Sequence, residues 1–330
     1  MISSIEITRF RGIREGKLED LTPLVVLVGP NASGKSTVLD AVLIGAAPVI
    51  GDAIGRAVVR HQGVKRGVRW LLWRSGQHGQ SEIGVTTKRG CRRDCRLFLE
   101  ETQPTSIHFE ARLQGVEGPS SLNGAAQILD PLRYSFTQGR LVLEDTPQAR
   151  IVESPVEPAQ TPLYELLTRC IERGQRSEAK EIVAELIPGV KDILILTEAD
   201  APIVHLEYAD HSVPAALAGD GIHSLLRISL ELLSCPNGVV LFEEPEVHQH
   251  PGAIRQSMRA VLAAVRRDIQ VILTTHSLEL IDLLLAESSE DDLKKLSLYR
   301  LQLEDGLLRS HRMAGSEVQF ARTQIENDLR

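Results

Sequence analysis

The run Gly29-Pro30-Asn31-Ala32-Ser33-Gly34-Lys35-Ser36-Thr37 fits the spacing G-x-x-x-x-G-K-[ST]. Glycines at such positions let backbone N–H groups turn inward around an anion, and the helix that follows points its positive end at the same place. Lys35 is placed to reach the β- and γ-phosphates of ATP. Ser36 offers a hydroxyl to Mg²⁺, an ion that takes one or two protein oxygens and otherwise phosphates and water. Two more clusters suit phosphoryl transfer. Residues 238–246 (GVVLFEEPE) form an apolar run ending in acids, with Glu243 expected on the metal side and Glu244 on the attacking water. In 271–277 (VILTTHS), His276 follows another apolar run, where a γ-phosphate contact is expected. Each has a plainer reading: a glycine turn with a solvated lysine, a strand end with solvated acids, a structural histidine. All three at apolar strand ends in one chain favour the phosphoryl reading.

A second glycine loop, Leu217-Ala218-Gly219-Asp220-Gly221, precedes a helical stretch at 222–233. Glycines at a helix start form an anion nest. The chain already has one such nest, so the second implies a phosphate held by another subunit and an ATP-dependent homodimer. The plainer alternative is a turn that caps a helix.

The elements that must position these groups follow from periodicity. Strands are expected over 5–10 and 24–28, joined by a polar turn, then a helix over 37–44. The stretch 45–75 reads as mixed and basic, with a short helix around 68–73. Strand signals at 82–88, 96–100, 107–113, 134–142 and 149–152 suggest an antiparallel layer. Prolines 155, 158 and 162 mark a break before helices over 163–172 and 177–186 and a hairpin of 192–197 with 203–207. From 214 onward, helices (222–233, 252–267) alternate with buried strands (239–242, 271–275), which argues for a parallel sheet and an α/β fold.

At 330 residues, with 42% hydrophobic and 25% charged, the chain can bury a core as one large domain or two lobes. No apolar run approaches the ~18 residues needed to span a bilayer, so no membrane partner is expected. Four cysteines (91, 95, 170, 235) without a secretory leader suggest a reducing, cytoplasmic setting. Cys91 and Cys95 fall at an expected hairpin tip; free thiols are the default, a hairpin disulfide the alternative. Net charge is −7, yet 56–96 carries eleven Lys/Arg against Glu82 and Asp94, together with Trp70 and Trp73. That combination suits a DNA or RNA backbone and unpaired bases. A solvated basic surface or an acidic partner would leave the same trace.

In this order, GPNASGKST, LAGDG, VVLFEEPEVHQHP and VILTTHS resemble the soluble ABC-type ATPases of the SMC and OLD group, as does IEITRFRGI at 5–13. The chain is similar to stand-alone AAA family ATP-binding proteins, the likeness covering 1–45 and 210–285. The resemblance implies a P-loop NTPase fold, an ABC-type ATPase head with an antiparallel β-lobe and a helical signature lobe. It divides the chain into 1–155 (Walker A and β-lobe), 156–235 (signature lobe) and 236–330 (Walker B and switch histidine), all one two-lobed domain. It makes 29–37 Walker A, 239–243 Walker B, Glu244 the catalytic carboxylate, 217–221 the signature loop, 247–251 a D-loop and His276 the switch. It puts Phe10 and Arg11 near the adenine and a Q-loop glutamine at Gln138, with Gln148 next. Glu243 stands where Asp is usual, Ala218 where transporters have Ser, and Gln249 where Leu is usual. No heptads support a coiled-coil arm, and the residues after His276 are too few for an OLD nuclease domain. The expected function is slow Mg²⁺-dependent ATP hydrolysis coupled to head-to-tail dimerisation. A non-hydrolysing sensor acting on a separately encoded effector and a nucleic-acid remodelling factor are the alternatives.

Overall fold

The computed structural model describes residues 1–60, 67–76, 79–99, 105–115, 121–130, 133–138, 149–152, 161–235, 237–247, 249–324 and 328–329. The first half contains β1 (Ile2–Phe10), β2 (Ile13–Leu18), β3 (Leu24–Val28), α1 (Lys35–Ala46) and α2 (Ile50–Val59). It continues with β4 (Gln80–Thr87), β5 (Arg92–Leu99), β6 (Ser106–Gln114), β7 (Ser121–Asp130), β8 (Arg133–Gln138) and β9 (Ala149–Val152). Then come α3 (Leu163–Glu172), α4 (Arg176–Leu186), β10 (Asp192–Glu198), β11 (Ala201–Glu207), β12 (Ser212–Pro214) and α5 (Asp220–Leu233). The chain closes with β13 (Val239–Glu243), α6 (Pro251–Arg266), β14 (Gln270–Thr274), α7 (Leu278–Glu287), α8 (Glu290–Lys295), β15 (Leu296–Glu304), β16 (Leu307–Ala314) and α9 (Gly315–Thr323).

One large mixed sheet has the order β8-β7-β6-β5-β4-β1-β2-β16-β15-β3-β14-β13-β9. At one end, β15, β3, β14, β13 and β9 run parallel, with Val26 beside Leu273 and Leu298, and Leu241 beside Ile272 and Ile151. All five residues of β3 and of β14 are buried, as strands covered on both faces require. The arm from β1 through β4 to β8 is antiparallel. Its inward face, with Phe10, Ile83 and Phe109, shares one core with Leu39 and Ile44 of α1 and Ile54 of α2. On the other face of the parallel part, Met258 of α6 and Leu284 of α7 pack with Val26 and Leu273. A separate core joins α3, α4 and α5 to the small β10-β11-β12 sheet through Leu166, Val183, Ile193, Leu206 and Leu226.

Several expectations need correcting. The strand 149–152 does not belong to the antiparallel layer; β9 pairs parallel with β13, where the apolar pair Ile151 and Val152 is buried. The expected polar turn after β1 is the strand β2, anchored by buried Ile13 and Leu18 at its ends. Within the basic stretch lies α2, whose Gly51 and Gly55 let the rings of Phe136 and Tyr134 on β8 approach closely. The small, polar residues of β7 hid a ten-residue strand. The strand expected over 134–142 is β8, and 139–142 lie outside the described residues. Cys91 and Cys95 do not share a hairpin tip: Cys95 sits inside β5 opposite Ile83 and Ala111, and all four cysteines are buried outside any disulfide.

Part of the positive segment is tied into the chain, while Arg74, Lys88 and Arg89 are exposed. Arg56 pairs with Asp52 at 2.9 Å, Arg92 with Glu6 and Asp94 at 2.8 Å each, and Arg96 with Glu82 at 3.0 Å. Arg93 is buried and donates to the carbonyls of Gly45 and Ala47. Trp73 packs over Gly306, while Trp70 is exposed. Lys65 and Arg66 lie outside the described residues.

At the far end of the fold, Ser289 and Asp292 form a capping box that starts α8. Arg266 of α6 donates two hydrogen bonds to Asp292, at 2.6 and 3.0 Å, and holds its carboxyl well below the usual carboxylate range. Replacing Asp292 with Asn should lower stability by about 1–2 kcal/mol at neutral pH, the half-exposed Arg266 limiting the effect. Because the native pKa is depressed, this contribution is complete above the unfolded value of about 4 and fades as the pH falls below it. Urea unfolding of both proteins at pH 7 and pH 3 should therefore show the gap closing in acid; a constant gap would contradict the assignment.

Candidate functional site

The loop that leaves β3 is held open by backbone geometry. Gly29 (φ 142°), Ala32 (φ 61°) and Gly34 (φ 95°) all adopt positive φ, the alternation that turns successive N–H groups toward a common centre. Gly34 caps α1 in the left-handed conformation, and a Cβ there would sit 3.2 Å from Leu308. No acid occupies the first turn of α1 to compete for its positive end. Pro30 and Asn31 are exposed, whereas Ser36 and Thr37 are half-buried in that first turn. Lys35 folds back over the loop, its Nζ donating to the carbonyls of Gly29 (2.8 Å) and Pro30 (3.0 Å). Burial lowers the pKa of its ammonium, and Glu244 and Glu243 nearby oppose that shift. Ser33 is 3% exposed, yet its Oγ has no hydrogen-bond partner among the described residues. A nest of N–H groups, an ammonium parked on its own loop and an orphaned hydroxyl together suit a polyphosphate.

The parallel strands bring the acids and the histidine to the same edge. Glu243 ends β13 directly opposite Thr274 of β14. Glu244 then turns with φ 44°, its N–H donating to Thr274 O (3.1 Å) and Thr274 Oγ1 (3.2 Å). Its carboxylate lies 3.3 Å from His276 Nε2. Thr275 ties this edge to the phosphate loop's strand, donating from its N–H to Leu27 O at 3.1 Å. Lys35 feels Glu243 and Glu244 electrostatically, so loop, acid pair and histidine share one locale. The oxygens of Ser36 and Glu243 are donors of the kind Mg²⁺ takes.

Sequence reasoning missed two supports of this edge. Glu246 accepts hydrogen bonds from Thr275 Oγ1 (2.5 Å) and His276 N (3.2 Å), so it fixes the loop that carries the histidine. Burial pushes its carboxyl pKa up, and these two donors pull it back. The third acid of Glu-Glu-Pro-Glu was its visible signal. The second support left no motif. Asp40 on α1 is fully buried and pairs with Arg11 (2.8 Å) and Arg60 (3.2 Å), and Arg60 continues to Glu243 at 2.8 Å.

The adenine-side expectations take a different form. Phe10 is enclosed in the core with 0% exposure, so it offers no face to a base. Arg11 points inward, toward Asp40 and the Ala57 carbonyl. Gln138 ends β8, at the opposite edge of the sheet from β9. Tyr134 lies over Gly55 and Phe136 over Gly51, so β8 runs against α2 and Gln138 heads away from Arg60 and Glu243. Gln148 lies outside the described residues.

The second glycine loop faces outward. Leu217 is 76% exposed, and among the described residues nothing lies within 4 Å of a Cβ built on Gly219, whose φ is 96°. Gly219 precedes α5, which opens with Asp220 and Gly221. Among the described residues, the hydrogen bonds of 217–221 are local, from Ala218 N to Ala215 O and from His223 N to Gly219 O. None reaches the 29–37 loop. Further along α5, Ser224 and Arg227 line a crevice with Glu243, Glu244 and Gln249.

Comparison with known proteins agrees with this arrangement. Residues 181–282 match the AAA_21 family model, described as "AAA domain, putative AbiEii toxin, Type IV TA system". An uncharacterised protein of Methanocaldococcus jannaschii, MJECL11, is 33% identical over 93 residues, which are 28% of this chain and 82% of that protein. A second from the same organism, MJECL10, is 35% identical over 83 residues, 25% of this chain and 34% of its own length. Among solved structures, an SMC head bound to the C-terminal winged-helix domain of ScpA matches with a TM-score of 0.53 at 13% identity, over 95% of this chain and 98% of that one. An SMC head with an extended coiled coil, bound to a ScpA domain derived from Pyrococcus furiosus, gives 0.50 at 12% identity over 99% of both chains. At such identities the likeness is one of fold. No helix among the described residues is long and apolar enough to cross a membrane.

Glu246→Ala removes the two hydrogen bonds that Glu246 accepts from the His276 loop. It should cost about 1–3 kcal/mol of stability and slow phosphate release much more than it weakens ATP binding. Equal loss of binding and turnover would show that Glu246 supports the whole edge and not the histidine loop.

Proposed function

We propose that this chain, which belongs to the ABC-type P-loop ATPases, binds MgATP between two copies of itself and hydrolyses it slowly, as a switch on a partner. The observation that carries this reading is a phosphate-type loop beside an acid pair and a histidine, together with a glycine loop that is exposed and, among the described residues, makes no hydrogen bond to the 29–37 loop. On this reading 1–155, 156–235 and 236–330 act as one two-lobed unit. ATP lies along the 29–37 loop, with the N–H groups of Gly29, Pro30 excepted, through Thr37 turned to its phosphates. Lys35 leaves the carbonyls of Gly29 and Pro30 for the β- and γ-phosphates, which relieves the desolvation of its ammonium. Ser36 and Glu243 would hold Mg²⁺, which when bound neutralises charge on the phosphate oxygens.

Glu244 orients a water for in-line attack on the γ-phosphorus and takes its proton as the new P–O bond forms; the bond to the β-phosphate oxygen breaks and leaves ADP. His276, already 3.3 Å from the Glu244 carboxylate, keeps that group aimed and responds to loss of the γ-phosphate. The nucleotide is closed over by Gly219, Asp220 and Gly221 of the partner subunit, through backbone N–H groups and the start of α5. Ala218 brings no hydroxyl to that contact, so each turnover is expected to be slow. The same residue favours a second reading, an ATP sensor that regulates a separate effector protein without appreciable hydrolysis. A nucleic-acid role is a third reading: Arg56, Arg92 and Arg96 are paired within the chain, while Arg74, Lys88 and Arg89 of the same segment are exposed. Four buried cysteines outside any disulfide accord with a reducing, cytoplasmic setting.

Glu244→Gln should accumulate a dimer in MgATP, seen by size-exclusion chromatography with light scattering. A protein that stays monomeric there would contradict the sandwich. Lys35→Ala should weaken ATP binding at least about tenfold, equivalent to ~1.4 kcal/mol. A phosphate-release assay separates the two readings: multiple turnovers support the ATPase, none supports the sensor.

A further inference from the structure

We infer that Arg60 is a built-in counter-cation on Glu243 that metal capture must displace, so that it sets how much free Mg²⁺ the site needs. The inference rests on the MgATP reading above and concerns the regulation of that same site. Arg60 caps the C-terminus of α2, its N–H bonded to Arg56 O at 3.1 Å, so the helix fixes where its side chain begins. That side chain is 3% exposed. Its guanidinium reaches two acids, Nε to Asp40 Oδ1 at 3.2 Å and Nη2 to Glu243 Oε2 at 2.8 Å. Asp40 also holds Arg11 at 2.8 Å. Among the described residues, two guanidinium groups thus face two carboxylates.

The two halves of this cluster differ in how easily they open. Asp40 has 0% exposure and two cationic partners, so removing either leaves charge buried, which is expensive. The Glu243 side chain is 27% exposed and sits at the strand end, on the side of the phosphate loop. Glu243 can therefore turn to a divalent cation while Arg60 keeps Asp40. Arg11–Asp40–Arg60 is the fixed part and Arg60–Glu243 the exchangeable bond. Until a metal–nucleotide arrives, the carboxylate proposed as its ligand is already satisfied by a cation from the same chain. Metal binding then exchanges one cationic partner for another and forfeits the Arg60 pairing.

The test titrates Mn²⁺ into the full chain with saturating ATPγS and follows the free-ion signal by electron paramagnetic resonance, with ATPγS affinity measured separately. Arg60→Gln should tighten Mn²⁺ about tenfold, which corresponds to ~1.4 kcal/mol. In a Glu243→Gln background the same change should have no effect on Mn²⁺, since no bond remains to release. Arg60→Lys keeps a charge for Asp40 but lacks the two-armed fork, and should also tighten Mn²⁺; it gives the same readout if Arg60→Gln fails to fold. Unchanged or weaker Mn²⁺ binding in the folded variants overturns the role of Arg60. If the wild-type chain binds neither ATPγS nor its Mn²⁺ complex, the MgATP reading itself falls, which is a separate outcome.

Discussion

Burial of β3, β14 and β13 on both faces is the constraint from which the rest of the architecture follows. Leu24–Val28 and Gln270–Thr274 are wholly enclosed, with α1 on one side and α6 and α7 on the other. Strands so covered need helical crossovers and run in parallel. Their carboxyl ends then share one edge of the sheet, where the apolar runs stop and the backbone becomes irregular. Gly29, Ala32, Gly34 and Glu244 all take positive φ within that edge. Chemistry collects there because the core forces each strand to end there.

The charged groups of that edge are paired within the chain, although Glu244 and His276 stay partly exposed, at 38% and 35%. Lys35 rests on carbonyls of its own loop, Glu244 on His276, Glu246 on Thr275 and the His276 N–H, and Glu243 on Arg60. Behind them Asp40 is fully enclosed between Arg11 and Arg60. A polyphosphate and its metal would therefore meet a site whose ionic groups are already satisfied. On the proposed reading, binding there would proceed by partner exchange, which limits the exposure of unpaired charge in a partly buried setting.

The chemistry-bearing loops were legible in the sequence because their demands fall on residue type at fixed spacing. Glycine at 29 and 34, lysine at 35 and the acids after an apolar run need no knowledge of distant contacts. The apolar strands β3, β13 and β14 were legible for the same reason. What was hidden depends on partners far apart in the chain. Arg92 reads as surface charge until Glu6 is seen across two strands, and Arg60 reads likewise until Asp40 and Glu243 converge on it. The strand β9 is too short to announce its direction, and α2 is apolar nearly all round, with glycines where β8 presses on it. Phe10 followed from a family pattern that places it near a base, whereas packing against the sheet encloses it.

One chain carries the loop, acids and histidine at one edge and, elsewhere, an exposed glycine loop; in the proposed dimer only a neighbour's loop completes the site. Site-directed crosslinking tests this most directly. Asn31 and Leu217 are both exposed and the four native thiols are buried, so cysteines introduced at 31 and 217 can be joined by a short bis-maleimide. The account predicts a covalent dimer that forms with MgATPγS and is absent without nucleotide, including when the two single-cysteine proteins are mixed. Crosslinking that ignores nucleotide, or no product joining 31 of one chain to 217 of another, would contradict it.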